Sequence, residues 1–134
     1  MEASLTIGRL AESAQVNVET VRYYQRRGLT REPARPTGSV RRYSNDDVKR
    51  IRFIKRAQQL GFTLKEIKDL LELRVSRRTS CARVRSHAQG KMADIERRIR
   101  SLRHMRRALT KLAHECETQS GGDCPLLQYL EGEL

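Results

Sequence analysis

The sequence predicts a mainly α-helical protein: a winged helix-turn-helix head, then one long helix, then a short C-terminal loop. Three observations predict it. Apolar residues recur every three or four positions along most of the chain, the period of a helix rather than a strand. Helix-capping residues stand before these runs and glycines stand after them. Beyond Pro36 no proline occurs until Pro125, so nothing interrupts the long apolar period of the second half.

The elements follow in order. Thr6 suits the N-cap of a short helix that turns Ile7, Leu10 and Ala11 inward, and AESAQVN reads as the turn after it. Asn17 suits the cap of a second helix, VETVRYYQRR, which Gly28 stops. Two short helices joined by small and polar residues make a helix-turn-helix. In LTREPARPTGSVRRYS two prolines forbid helix, and Thr37-Gly38 supplies turn chemistry, so a small hairpin, or wing, is expected there. Ser44 opens a third helix, with Asp46 and Asp47 at its positive end and Val48, Ile51, Ile54 and Leu60 at helical spacing. Gly61 ends it. Thr63 with Glu66 forms a capping box for a fourth helix that carries Leu64, Ile67, Leu70 and Leu71 on one side.

SRRTS, residues 76–80, reads as a linker. Beyond it Ala88, Met92, Ile95, Ile99, Leu102, Met105, Leu109, Leu112 and Cys116 form a narrow apolar seam, with Arg and Glu on the other faces. One helix over about 81–115 is the simplest reading. Such a seam is not stable alone in water and needs a partner face. The expected organisation is therefore a head over 5–75, a linker and long helix over 76–115, and a terminal loop with a short helix over 116–134.

Twenty-eight Lys and Arg against 16 Asp and Glu leave a formal net charge of +12, which favours a polyanion, nucleic acid first. The apolar runs fall far short of the roughly 20 residues of a membrane span, and MEASLTIGRL lacks the pattern of a signal peptide, so a cytoplasmic protein without membrane association is expected. There a chain with three cysteines keeps them as thiols. No nucleophile–base pairing, catalytic carboxylate pair or phosphate loop stands out, and no enzyme is expected.

The charge concentrates usefully at the front. VETVRYYQRR offers Thr20, Arg22, Tyr23 and Arg26 near one exposed stretch, and SVRRYS adds Arg41, Arg42 and Tyr43 on the wing. Arginine gives bidentate donors to guanine or phosphate, and a helix in a major groove flanked by a basic wing would use all of these. Tyr24 reads as core. VRYYQRRGL, RRYS and AQQLGFTLKEI, set in this order along the chain, strongly resemble the MerR family of bacterial transcription regulators. The resemblance spans the whole chain. It implies that the second helix and wing grip double-stranded DNA through Arg22, Tyr23, Arg41 and Tyr43, with Thr20, Arg26 and Arg42 as further contacts.

Cys81 and Cys116 stand 35 positions apart, about 50 Å along an unbroken helix at 1.5 Å per residue. Metal–sulfur bonds are about 2.3 Å, so both cannot hold one ion within one chain. Two antiparallel helices remove the difficulty: Cys81 of one protomer then meets Cys116 and Cys124 of its partner. Ser-Gly-Gly at 120–122 lets the loop curl Cys124 back toward Cys116, and Leu126, Leu127 and Leu130 are expected to pack it down. Arg77, Arg78, Arg83 and Arg85 favour thiolate at Cys81. His87, His114, Glu117 and Asp123 read as bystanders. Three thiolates select a soft ion. The full fold expected is thus a winged helix-turn-helix DNA-binding domain, a long dimerisation helix in an antiparallel coiled coil, and a C-terminal metal-binding loop.

The family resemblance sharpens this. A cysteine at the place of Cys81 goes with sensors of divalent ions, and CETQSGGDCPLL resembles the mercury-responsive members, whereas zinc-responsive ones add ligands inside the loop. Hg(II) is the expected effector, with Pb(II), Cd(II) or Zn(II) as alternatives. The resemblance implies a homodimer on promoter DNA that represses without metal and, with metal, distorts the DNA so that RNA polymerase can use it. A thiol redox sensor and a non-sensing DNA-architectural protein are the readings from other classes.

Overall fold

The computed structural model describes residues 4–35, 40–75, 81–118 and 124–132. It contains the helices α1 (Ile7–Ala14), α2 (Val18–Arg26), α3 (Asn45–Gln59), α4 (Leu64–Val75), α5 (Cys81–Thr118) and α6 (Pro125–Leu130). The chain divides into two compact units, Met1–Arg85 and Ser86–Leu134. The expected linker at 76–80 lies outside the described residues.

In the first unit Thr6 caps α1 by accepting the Arg9 amide at 3.3 Å. AESA continues the helix rather than forming the turn, because Ala11 and Ala14 are buried against the core. The turn begins at Gln15, a left-handed residue at φ 59°. There the Gln15 amide reaches Glu12 O and the Val16 amide reaches Ala11 O, closing the last carbonyls of α1. Two cations from α3 cover the same end: Arg52 donates to Ser13 O at 2.8 Å and Lys55 to Gln15 O at 2.7 Å. Positive charge at a helix C-terminus is favourable, and these bonds hold α3 against α1.

Asn17 caps α2 through the Thr20 amide at 2.8 Å. Gly28, at φ 74°, lets the chain leave α2 in a conformation that a side chain would strain. Ser44 and Asp47 form the reciprocal cap of α3, and Thr63 with Glu66 forms that of α4. Leu10, Val21, Tyr24, Leu29, Ile51, Ile54, Ile67 and Leu71 make the core where α1 to α4 meet. Leu60 is not part of it. It falls on the C-cap of α3, where the helix ends and Gly61 turns at φ 92°, and is 67% exposed.

The expected hairpin of the wing is described only in its flanks. Its turn, Thr37-Gly38, lies outside the described residues, and the described flanks hold no strand. Tyr43 instead forms a single antiparallel bridge with Leu5, with both amide–carbonyl bonds at 2.8 Å. Arg41 ties the two flanks together: its Nε donates to Pro33 O at 3.0 Å and its Nη2 pairs with Glu32 at 3.0 Å. A proline has no amide to give a ladder, so a side chain makes the link.

α5 is one unbroken 38-residue helix. Along its part in the second unit Met92, Ile95, Leu102, Met105 and Leu109 are exposed, and only Leu112 of the seam is buried. The loop at 119–123 lies outside the described residues; of the leucines expected to pack it down, Leu127 and Leu130 are exposed and Leu126 is half-buried, while Pro125 is buried. No described helix is long and apolar enough to cross a membrane.

Candidate nucleic-acid interface and thiol site

A shallow basic cleft of about 370 Å³ opens between α2 and the wing. Its lining includes Arg22, Arg26, Arg35, Arg41 and Tyr43. α2 presents the first two because its buried face is set by Val21 and Tyr24, which turns positions 22, 23 and 26 outward. Among the described residues Arg22 pairs with Glu19, at 3.1 Å on the exposed surface, a link that solvent weakens.

The other expected contacts divide. Tyr23 is exposed, its ring 6.2 Å from that of Tyr24. Arg42 is exposed beside the cleft. Thr20 is half-buried and commits its hydroxyl to Asn17 at 2.8 Å, so it serves the cap of α2. Tyr43 is 4% exposed; its ring belongs to the core and its hydroxyl accepts from Gln25 at 2.7 Å. Any part it has at the surface is through that hydroxyl on the cleft floor. Tyr24 is core as expected; burial pushes its hydroxyl above the ordinary range, and it donates to Gln58 at 2.6 Å.

Among the cleft residues that sequence reasoning missed are Gln25 and Arg35. Arg35 sits between two prolines, and an arginine held in an extended arm beside a basic helix was the available signal. Gln25 gave none, since its place depends on the buried Tyr43 hydroxyl. Replacing Arg22 by alanine is expected to weaken binding to the cognate duplex by about 1–3 kcal/mol, the range of a good bidentate contact. Fluorescence anisotropy on cognate and scrambled duplexes checks it, and the loss should be larger on the cognate one.

The second site lies in the tail. Cys116, near the end of α5, and Cys124, at the N-cap of α6, bring their sulfurs to 3.8 Å. Cys116 is exposed and Cys124 half-buried. Cys124 makes no capping hydrogen bond as a thiol. The free amides of Leu127 first, then the Cys116 thiol and the Leu126 amide, nevertheless stabilise its thiolate against the opposing effect of burial, and its pKa is lowered. The Cys116 thiol is pushed up, first by donating to Cys124 and then by the charge on it. The pair therefore gives up its first proton at Cys124. Alkylation by iodoacetamide across a pH series, read by mass spectrometry, should give a lower midpoint for Cys124 than for Cys116. Cys81 is exposed at the first turn of α5. No group of three His, Cys, Asp or Glu converges among the described residues.

A helix-turn-helix head with a basic cleft defines a DNA-binding regulatory protein. The chain belongs to the MerR family: the profile described as MerR HTH family regulatory protein matches residues 5–73, and that described as MerR, DNA binding matches residues 48–112. It is 46% identical over 131 residues to the mercuric resistance operon regulatory protein of Shigella flexneri, covering 97% of this chain and 90% of the relative. The lead(II) complex of a transcription regulator from Ralstonia metallidurans CH34 superposes with a TM-score of 0.82 at 33% identity, over 94% of this chain and 98% of that one. The mercury(II) complex of a MerR regulator from Bacillus megaterium MB1 gives 0.73 at 36%, over 95% and 99%.

Proposed function

We propose that this protein is a cytoplasmic, Hg(II)-responsive switch that sits on promoter DNA as a homodimer, represses without the ion and activates with it. One observation carries the reading: Cys116 and Cys124 form a 3.8 Å dithiol, while Cys81 begins the same unbroken 38-residue helix. A dithiol supplies two soft ligands and leaves room for a third from elsewhere. The exposed apolar stripe of α5 supports a second copy as its source, since unpartnered apolar faces of this length are costly in water. Antiparallel pairing puts Cys81 of one protomer beside Cys116 and Cys124 of its partner. The domain limits proposed are 5–75, 76–115 and 116–134.

The donor set fits a thiophilic divalent ion, which would supply the bonds linking one protomer to the other. The chain's own part is to hold two sulfurs ready and to carry the third at the start of α5, next to the segment leading from α4. A two-state element whose balance the ion shifts is the physical requirement for control. On the DNA side Arg22, Tyr23, Arg26, Arg41 and Arg42 would hold the duplex, with Thr20 and Tyr43 positioning the elements that carry them. RNA polymerase would then read the distorted promoter.

The likeness to the mercuric resistance regulators supports mercury. The higher TM-score of the lead(II) complex favours Pb(II) as the second reading. Competition binding separates them. Mercury should displace lead, cadmium and zinc, with one or two ions per dimer and loss of binding strength on changing any of the three cysteines to serine. Displacement of mercury by lead would transfer the function to lead. Activation by peroxide that chelators do not affect would replace the metal reading with a redox one.

A further inference from the structure

The stretch Arg97–His114 of α5 contains six arginines, one lysine and no acidic residue. It covers about 27 Å of helix. At about 100° per residue, Arg100, Arg107 and Lys111 fall opposite the apolar stripe of Ile95, Leu102 and Leu109, with Arg103 at the edge of the same face. Steps of three, four and four positions link 100, 103, 107 and 111, so these side chains are neighbours in a single row. All four are exposed, and none has an ion pair with a described residue. Arg97 differs, being paired with Asp94. Like charges at such spacings oppose the helix that carries them. The row is thus a net positive line, with Glu96 and Glu115 one turn beyond its two ends, on the side that pairing through the stripe leaves open.

We propose that Arg100, Arg103, Arg107 and Lys111 form a second phosphate-binding surface, which takes the backbone of duplex DNA without reading its sequence. Three of the four are arginines, whose fork matches phosphate oxygens. The row repeats a cation about every 5–6 Å along a line, as suits a polyanion of regular charge. A protein partner would call for aromatic or apolar anchors at the centre of the contact. Here His104, Ala108, Thr110 and His114 lie between and beside the cations, and none is a large apolar anchor. The choice of DNA as occupant rests on the reading of the head as a DNA-binding unit.

The test compares the full-length protein with an R100Q/R103Q/R107Q/K111Q variant on a random-sequence duplex over a salt series. Each phosphate contact contributes about 0.9 to the slope of log K against log salt, so the variant's slope should be shallower by about 2 to 4. Its thermal stability should be unchanged or higher, because repulsion is relieved. An R100K/R103K/R107K variant, which keeps the charge, should retain most of the slope. Single R107Q, expected to lose about 1, gives the same reading if the fourfold variant misfolds. An unchanged slope with wild-type protein still binding DNA overturns this surface and leaves the head reading intact. Lower polymerase-dependent transcription at an unchanged slope would make the occupant an acidic protein and also overturn it. No duplex binding by the wild type would sink the head reading itself.

Discussion

Cys81→Ser is expected to abolish metal-induced transcription while DNA binding and repression without metal persist. Cys81 is exposed at the first turn of α5, so the change removes no core packing and should alter stability by no more than about 0.5 kcal/mol. A serine hydroxyl is not ionised near neutral pH and is a poor ligand for a soft ion. The variant keeps Cys116 and Cys124, whose sulfurs stay 3.8 Å apart and still present two thiols to an ion. Binding should therefore weaken without vanishing, whereas activation should fail completely. That separation is the signature of a ligand whose task is to connect protomers. A run-off transcription assay beside a mercury titration reads both quantities. Full activation by the variant would refute the link between the ion and the segment leading to the head.

The second large effect is on the fold. Asp47 is 4% exposed, and its carboxylate accepts Arg31 Nε at 3.0 Å, Arg31 Nη2 at 2.7 Å, the Ser44 amide at 2.8 Å and the Ser44 hydroxyl at 3.2 Å. It thus closes the cap of α3 and holds the arm that leads from α2 into the wing. Asp47→Ala removes the carboxylate half of the capping box, leaving Ser44 to accept the amide of residue 47, and both arms of a bidentate ion pair. Arg31 is about half exposed and can be resolvated, which keeps the loss below that of a fully buried pair. The expected destabilisation is about 2–3 kcal/mol, a large share of the 5–15 kcal/mol typical of a folded domain. Urea unfolding measures it, and Asp47→Asn should recover part of it by keeping an acceptor for the Ser44 amide. A midpoint unchanged in Asp47→Ala would show that the cap and arm stand without this carboxylate. DNA affinity should fall with stability, because Arg41 is bonded to the arm that Asp47 anchors.

Much of the fold was legible beforehand because its signals are local. Thr6, Asn17, Ser44 and Thr63 all cap the helices expected of them, since a cap needs only its own side chain and an amide three positions on. Val48, Ile51 and Ile54 are buried for the same kind of reason: helical period alone puts them on one face. What the chain hid depends on contacts distant in sequence. Tyr43 reads as an exposed aromatic in a basic run, yet its bridge to Leu5 and its bond to Gln25 draw the ring inside. Asp47 reads as a charge suited to a helix N-terminus, while Arg31, 16 positions earlier, makes it an anchor. The tail shows both cases. The loop composition predicts that Cys124 returns to Cys116, which the 3.8 Å approach bears out. The leucines after it carry no such signal, and Leu127 and Leu130 end up exposed.

By itself the sequence determined the family, the order of six helices and the residue types available to DNA and to a soft ion. The family follows from the resemblance carried by VRYYQRRGL, RRYS and AQQLGFTLKEI; the helices and residue types follow from period, capping and composition, which act over one or two helical turns. The tertiary structure alone decided which of those side chains are free to act. It spent Thr20 on a cap and Tyr43 on the core, placed Gln25 and Arg35 in the cleft, and made Cys124 rather than Cys116 the more acidic thiol. Burial and hydrogen bonding between distant segments set those outcomes, and neither is written in the spacing of residues along one helix.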